Sequence, residues 1–201
     1  MQLVVEDSDE GHMLVNFVLR NRMLLNMVLS QNINLLENSF APLMHVPKCR
    51  LLLHFDVKRA YFKMRIKRMR QKSNRMSFSG NALRVNVSRD SVFEDSFNKL
   101  RYASADEMRR RLSVQFDGEE GMDAGGLTRE WYTVLGREIF NANYCLFMPT
   151  VDSVTFQPNP NSWINPEHLD DFKFFGRVVG KAIYDGHLVD AHFTRSFYNH
   201  I

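Results

Sequence analysis

Cysteine is nearly absent from this sequence. Its 201 residues include only Cys49 and Cys145, far apart and in no C-x-x-C arrangement. That argues against a disulfide framework or a cysteine-based zinc site and points to a reducing compartment, cytoplasmic or nuclear. A long apolar run is also missing. The most apolar stretch, 13–29, is interrupted by Asn16, Arg20, Asn21, Arg22 and Asn26, whereas a spanning helix needs about 20 mostly apolar residues, so no membrane span is expected. The first ten residues carry Glu6, Asp7, Asp9 and Glu10, where a secretion signal is basic; no signal peptide is expected. The seven histidines form no metal motif, and His187 and His192, five apart, do not share a helical face. There is no G-x-S-x-G elbow and no Ser–His–Asp order. Neither a metal nor a cofactor is expected. Gly121, Gly126 and Thr128 stand at P-loop spacing, but Leu127 occupies the lysine position, so the phosphate-binding reading fails for want of its cation.

Acid is absent between Val57 and Arg89. Net charge is only +3, too little to name a partner, so the local distribution matters. The helix expected from Phe55 to about Arg70 carries Lys58, Arg59, Lys63, Arg65, Lys67, Arg68 and Arg70, continued by Lys72 and Arg75, around a stripe of Phe55, Phe62, Ile66 and Met69. A nucleic-acid patch over 58–75 is one reading. With only Tyr61 and Phe62 as interleaved aromatics, a solvated face or one docked on an acidic neighbour is preferred.

The other elements follow from periodicity. Residues 12–29 read as one amphipathic helix, with Leu14, Val18, Leu25 and Val28 on a face and Phe17 and Leu24 beside it. Pro42 and Pro47 break the pattern. Leu83, Val85 and Val87 alternate with polar residues as a half-buried strand. Asp90 or Ser91 caps a helix to about Arg101 that buries Val92, Phe93, Phe97 and Leu100. Ser104 and Glu107 make a capping box for a helix to about Arg111.

A strand at 112–116 then enters the densest stretch, where Gly118, Gly121, Gly125 and Gly126 fall within nine residues and call for positive φ or close backbone approach. Asp123 is expected to cap the helix that follows. That helix runs to about Phe140, burying Leu127, Trp131, Val134 and Leu135, with Arg129 and Glu130 as polar tethers. Glu119, Glu120 and Asp123 read as turn and cap residues rather than a carboxylate site. Ser153 to Gln157 reads as a strand. Asn165 and Pro166 open a helix from Glu167 to about Tyr184, apolar nearly all round and therefore expected to be buried on several sides. Gly176 and Gly180 are expected to admit a neighbouring element. Cys145 reads as a small core residue; Cys49, between Lys48 and Arg50, has a thiolate-favouring setting but no catalytic company. The chain stops with an apolar face still growing through Phe197, Tyr198 and Ile201, which reads as a fragment.

Two long stretches, 116–132 and 172–185, together with Phe93–Phe97, Asn159–Ser162, His168–Leu169 and Phe193–Tyr198, resemble the N-lobe of a HECT-domain E3 ubiquitin ligase. Residues 35–40 and 55–62 resemble the segment before that domain in the giant ligases of the plant UPL type and their HUWE-type relatives, and 127–132 and 156–162 lean toward the plant type. The resemblance implies a mainly helical α+β fold: a helical segment and linker over 1–50, an N-terminal extension of the N-lobe over 51–103, and an incomplete N-lobe over 104–201. It implies ubiquitin transfer from an E2 through a cysteine thioester to a substrate lysine, with ubiquitin, E2 and substrate as partners. The catalytic cysteine and the E2 site are expected beyond residue 201, so the fragment is expected to be inactive. A non-catalytic ubiquitin- or protein-binding scaffold is the alternative. Tyr144, with Leu146 and Phe147 adjoining, stands where such ligases contact a second ubiquitin, although Cys145 replaces the glycine common there. Asp123, Gly125, Gly126, Arg129, Glu130, Trp131, Phe172, Lys173, Gly176 and Arg177 are expected to be structural.

Overall fold

The computed structural model describes residues 9–76, 82–119 and 125–199. The chain divides between Lys72 and Ser73 into two compact units, each with its own apolar core.

In the first unit the helix expected over 12–29 is two, α1 (Asp9–Arg20) and α2 (Arg22–Gln31). The break falls at Asn21, whose side-chain amide donates to the Phe17 carbonyl at 2.9 Å, the local competition that makes asparagine a poor helix-interior residue. Val18, Leu25 and Leu29 point inward, while Phe17 and Leu24, beside that face, lie exposed. A 3-10 turn (Ile33–Glu37) leads to α3 (Pro42–His45) and α4 (Pro47–Leu52). The two prolines read as breaks are instead helix starters, because a first-turn position needs no N–H and the ring presets φ. Leu36, Leu43, Val46, Cys49, Leu53 and Val57 complete this core. Asn26, itself buried, accepts from the His54 N–H at 2.6 Å and donates to the Leu52 carbonyl at 3.3 Å, joining α2 to the chain after α4.

The basic helix, α5 (Phe55–Met76), buries only Ile66 of the expected stripe. Phe55, Phe62 and Met69 are exposed, and Val57 and Ile66 are buried. Val57 and Tyr61 pack on the first core, and on the helix surface Arg65 and Arg68 both reach Glu37, with Arg68 also donating to Asn34 at 2.8 Å. Part of the basic face thus docks on an acidic neighbour.

The second unit is built on two parallel strands, β1 (Leu83–Val87) and β2 (Leu112–Phe116), in register from Leu83 opposite Leu112 to Val87 opposite Phe116. Both alternate buried and exposed positions as their sequences require. Between them run α6 (Val92–Leu100) and α7 (Ala105–Met108). The capping box on α7 is formed, but the helix ends before Arg111. The expected caps of α6 do not bond its backbone. Asp95 instead accepts from the Ser88 N–H at 2.9 Å and the Ser91 hydroxyl at 2.8 Å.

After β2, Gly118 at φ 78° turns the chain, and Gly125 at φ 106° precedes α8 (Gly126–Ile139). A Cβ at either glycine would meet nothing within 4 Å, so φ and not crowding selects glycine there. Asp123 and Gly121 lie outside the described residues. A short antiparallel ribbon follows, β3 (Phe147–Pro149) with β4 (Phe156–Pro158). The strand expected at 153–157 begins later because Asp152 fills the intervening turn, accepting from Val154 N–H at 2.9 Å and Thr155 N–H at 3.1 Å, with Ser153 at φ 56°.

The last two helices are α9 (His168–Asp185) and α10 (Arg195–Asn199). Helix α9 starts later than expected: Asn165 accepts from the Glu167 N–H at 2.9 Å one step ahead of it. It is not buried on several sides. Phe174, Phe175, Val178 and Ala182 face the core, while Leu169 and Ile183 are exposed and the space above Gly176 and Gly180 is open. Among the described residues no element occupies the close approach that the two glycines permit.

Candidate functional site

Helices α8 and α9 were each expected to contribute a buried face, and α6 contacts both. Trp131 of α8 is fully buried and donates its indole N–H to the Ser96 hydroxyl at 2.9 Å. Phe174 of α9 meets the edges of Phe93 and Phe97, each at 5.5 Å between ring centroids. Helices α8 and α9 meet where Tyr132 donates to Asp185 at 3.4 Å, and Phe140, next to α8, packs with Phe175 at 6.3 Å. Burial first, then the Asp185 carboxylate, pushes the Tyr132 phenol far above its ordinary pKa, so it is a donor at any working pH.

Two cations, buried Lys181 and half-buried Arg177, join α9 to the segment before β2. Lys181 donates to the Arg110 carbonyl at 2.7 Å and to Asp185 at 2.9 Å. Arg177 donates to the Ala103 carbonyl, while its Nε is buried with no hydrogen-bond partner among the described residues. Cations placed on backbone carbonyls hold position without an acid partner for each. Phe172 is half-buried against Phe147, and Lys173 and Gly176 are exposed.

Glu130 is a tether as expected: it and Glu119 both hold Arg89, whose guanidinium lies 4.3 Å from the Phe116 ring centre. The bond to Arg89 lowers the Glu119 pKa. Arg129 is exposed, and among the described residues its side chain makes no tether.

The corner around Tyr144 has the richest surface geometry. Asn141 accepts from the Asn143 N–H at 3.1 Å, closing a 3-10 turn over Ala142–Tyr144. Tyr144 stacks on Phe93 at 4.1 Å and donates to Glu94 at 2.6 Å. Burial and that carboxylate raise its phenol pKa. Asn165 donates to the Tyr144 carbonyl at 3.5 Å and to Asp171 at 2.8 Å. Burial raises the Asp171 pKa, against the lowering effect of the Asn165 bond. Cys145 stands at φ 56°, a conformation that suits glycine. Tyr144 is part-exposed, whereas Leu146 and Phe147 are in the core; only the tyrosine reaches the surface. A three-residue lead cannot separate these, since a strand after a tight turn alternates its faces only where the core lies.

Neither cysteine is presented for chemistry. Cys49 is 0% exposed in the first core. Cys145, read from its apolar neighbours as a core residue, is instead half-buried at the turn, its sulfur 3.5 Å from the Ala142 carbonyl. Among the described residues there is no group of three or more His, Cys, Asp or Glu able to hold a metal ion, and no helix long and apolar enough to cross a membrane. The roles of Ser96, Arg89 and Glu94 were not foreseen, because their partners are distant in sequence. The Lys181–Asp185 pair had a signal, opposite charges four apart on one helix.

Residues 133–201 match the family model of the HECT-domain (ubiquitin-transferase). Over these residues the chain carries part of a HECT domain, and the described residues form a mainly helical fold with a few short strands. Over 92% of its length it is 50% identical to the E3 ubiquitin-protein ligase UPL2 of Arabidopsis thaliana. It is 44% identical over 93% to the mouse E3 ubiquitin-protein ligase HUWE1, and 42% over 90% to the E3 ubiquitin-protein ligase TOM1 of Saccharomyces cerevisiae. The chain spans only 5%, 4% and 5% of these relatives.

Proposed function

We propose that the protein to which this chain belongs is a HECT-type E3 ubiquitin-protein ligase, passing ubiquitin from an E2 through a cysteine thioester to a substrate lysine. The observation that carries this is 50% identity to a named E3 ubiquitin-protein ligase over 92% of the chain. Within that reading residues 104–201 are N-lobe scaffold, 51–103 its extension and 1–50 an upstream helical segment. The acceptor cysteine and the E2 site lie in sequence after residue 201. The burial of Cys49 supports assigning it no acceptor role, and Cys145 lies in no catalytic motif that the resemblance supplies. Tyr144 is the proposed contact for a second ubiquitin, with Leu146 and Phe147 supporting it from the core. The compartment is cytoplasmic or nuclear, in keeping with the scarcity of cysteine.

The test is a charging assay with E1, E2 and ubiquitin. The 201-residue chain is expected to form no DTT-sensitive adduct, while a longer protein carrying the missing part of the domain does. An adduct lost on changing Cys49 or Cys145 to Ser overturns the assignment. Binding of nucleic acid through 58–75 is the lesser reading, since Arg65 and Arg68 are already engaged by Glu37. Salt-sensitive retention of DNA or RNA, lost with Lys63→Glu and Lys67→Glu, would revive it.

A further inference from the structure

Helix α5 keeps an apolar ridge in water. Phe55, Phe62 and Met69 are 72%, 53% and 40% exposed. Seven-residue spacing drifts by only about 20° per repeat on an α-helix, so the three side chains form one nearly straight line, about 21 Å from end to end. Ile66 is the one buried residue of that face. The opposite side, with Val57 and Tyr61, is held by the first core. At about 100° per residue, exposed Arg59 and Lys63 flank the ridge on one side. Exposed Arg65 and Lys72, with half-buried Lys58, flank it on the other. The only acid of the helix is Asp56, about a third of a turn away from the ridge. Glu37, which meets the helix from outside, is taken up by Arg65 and Arg68.

Further apolar side chains stand in water where the helix begins. Arg22 donates to the Leu52 carbonyl at 3.0 Å, and Asn26 accepts from the His54 N–H. These bonds fasten α2 to the chain that leads into Phe55. Met23 and Leu51 are exposed at that junction, next to exposed Arg22 and Arg50.

The basic flanks call for an anionic partner, and the geometry selects among such partners. With Val57 and Tyr61 held by the core, a partner reaches only the outer side of α5. That excludes a groove closing round the helix and favours a flat surface. Nucleic acid engages exposed rings by stacking, which leaves Met23, Leu51 and Met69 without a role. A lipid interface takes all of these residues. An amphipathic helix lies in its plane, apolar side chains entering the acyl boundary and Lys and Arg stems reaching back to the headgroups.

We propose that the outer side of α5 docks on an anionic lipid surface. Phe55, Phe62 and Met69 enter the interface, and Lys58, Arg59, Lys63 and Lys72 meet the headgroups. A cytoplasmic leaflet, negative at its surface, has this chemistry. Among the described residues no helix is long and apolar enough to cross a bilayer, so α5 lies on the surface. Lipid docking is separate from ligase chemistry, and vesicle binding and the charging assay fail independently.

The 201-residue chain is expected to co-sediment with vesicles of phosphatidylcholine mixed with phosphatidylserine, not with phosphatidylcholine alone, and to be released by high salt. Arg59→Gln with Lys63→Gln is expected to weaken partitioning about 25-fold, about fivefold for each basic residue. Phe55→Ser is expected to weaken it about tenfold with the urea midpoint unchanged, and Phe55→Leu to retain binding. No sedimentation with the phosphatidylserine vesicles at low salt would overturn the proposal. So would sedimentation that Phe55→Ser leaves unchanged, since charge alone would then hold the chain. Retention of random-sequence DNA that is lost in these variants, without vesicle binding, would assign the ridge to nucleic acid instead.

Discussion

Cys145 occupies a left-handed backbone position at φ 56°. For an L-residue that conformation costs about 1–2 kcal/mol, and glycine is relieved of it at an entropic loss of about 0.4–1 kcal/mol in the unfolded chain. Cys145→Gly is therefore expected to stabilise the second unit by up to about 1 kcal/mol. Cys145→Val, β-branched at positive φ, is expected to destabilise it by more than that. Urea unfolding decides both; a destabilised glycine variant would show that the sulfur's place against Ala142 outweighs the backbone. Trp131 is the opposite case, a residue whose value is its burial. Trp131→Ala is expected to cost about 3–5 kcal/mol. Ser96→Ala is expected to cost about 1–3 kcal/mol, because it leaves the indole N–H unpaired in the core. A loss below about 0.5 kcal/mol for Ser96→Ala would mean that the indole finds another acceptor.

At the scale of elements, the β3–β4 turn depends on one carboxylate. Asp152 accepts from Thr150, Val154 and Thr155, and these bonds hold its pKa down to about 2. A depressed acid contributes stability that is complete above its unfolded pKa of about 3.9 and is lost as pH falls through the folded value. The Val154 and Thr155 amides are thus expected to keep their shifts from pH 7 to about 4 and to move toward exposed values near pH 2. Asp152→Asn should remove that titration. Movement already complete at pH 4 would show that the turn does not depend on the ionised form. Strands β1 and β2 and helix α6 are elements whose sequences announce them, since alternation and the 3.6-residue stripe coincide with the faces that are buried. Helix α9 misled for a physical reason. Its composition is apolar nearly all round, but composition cannot say whether an apolar side is covered, and Leu169 and Ile183 are not. The stripe of α5 misled likewise: Phe55, Phe62 and Met69 repeat every seven residues, yet the helix turned its Val57 and Tyr61 side to the first core.

For the molecule as a whole, the two cores are separate sets of residues. Substitutions distant from each other and without shared partners act independently, and hydrogen exchange resolves cooperative units. Trp131→Ala is expected to speed exchange at Val85, Phe116 and Leu135 and to leave Leu29 and Cys49 unchanged. Equal acceleration in both sets would show a single cooperative unit. Charge is also divided: the sequence through Lys72 has 12 Lys and Arg against 6 Asp and Glu, a balance of +6, which leaves −3 for the remainder of a chain of net charge +3.

Neighbouring residues or a long ordered motif suffice to specify the β1 and β2 strands, the capping box at Ser104 and Glu107, the glycines that turn the chain, the burial of Trp131 and the HECT resemblance. Long-range packing settles that Ser96 receives the Trp131 indole, that Arg89 gathers Glu119 and Glu130, and that Leu146 and Phe147 turn inward while Tyr144 stays part-exposed and Trp163 exposed. Those outcomes depend on which surfaces meet across 30 or more residues of chain, and local periodicity carries no information about that.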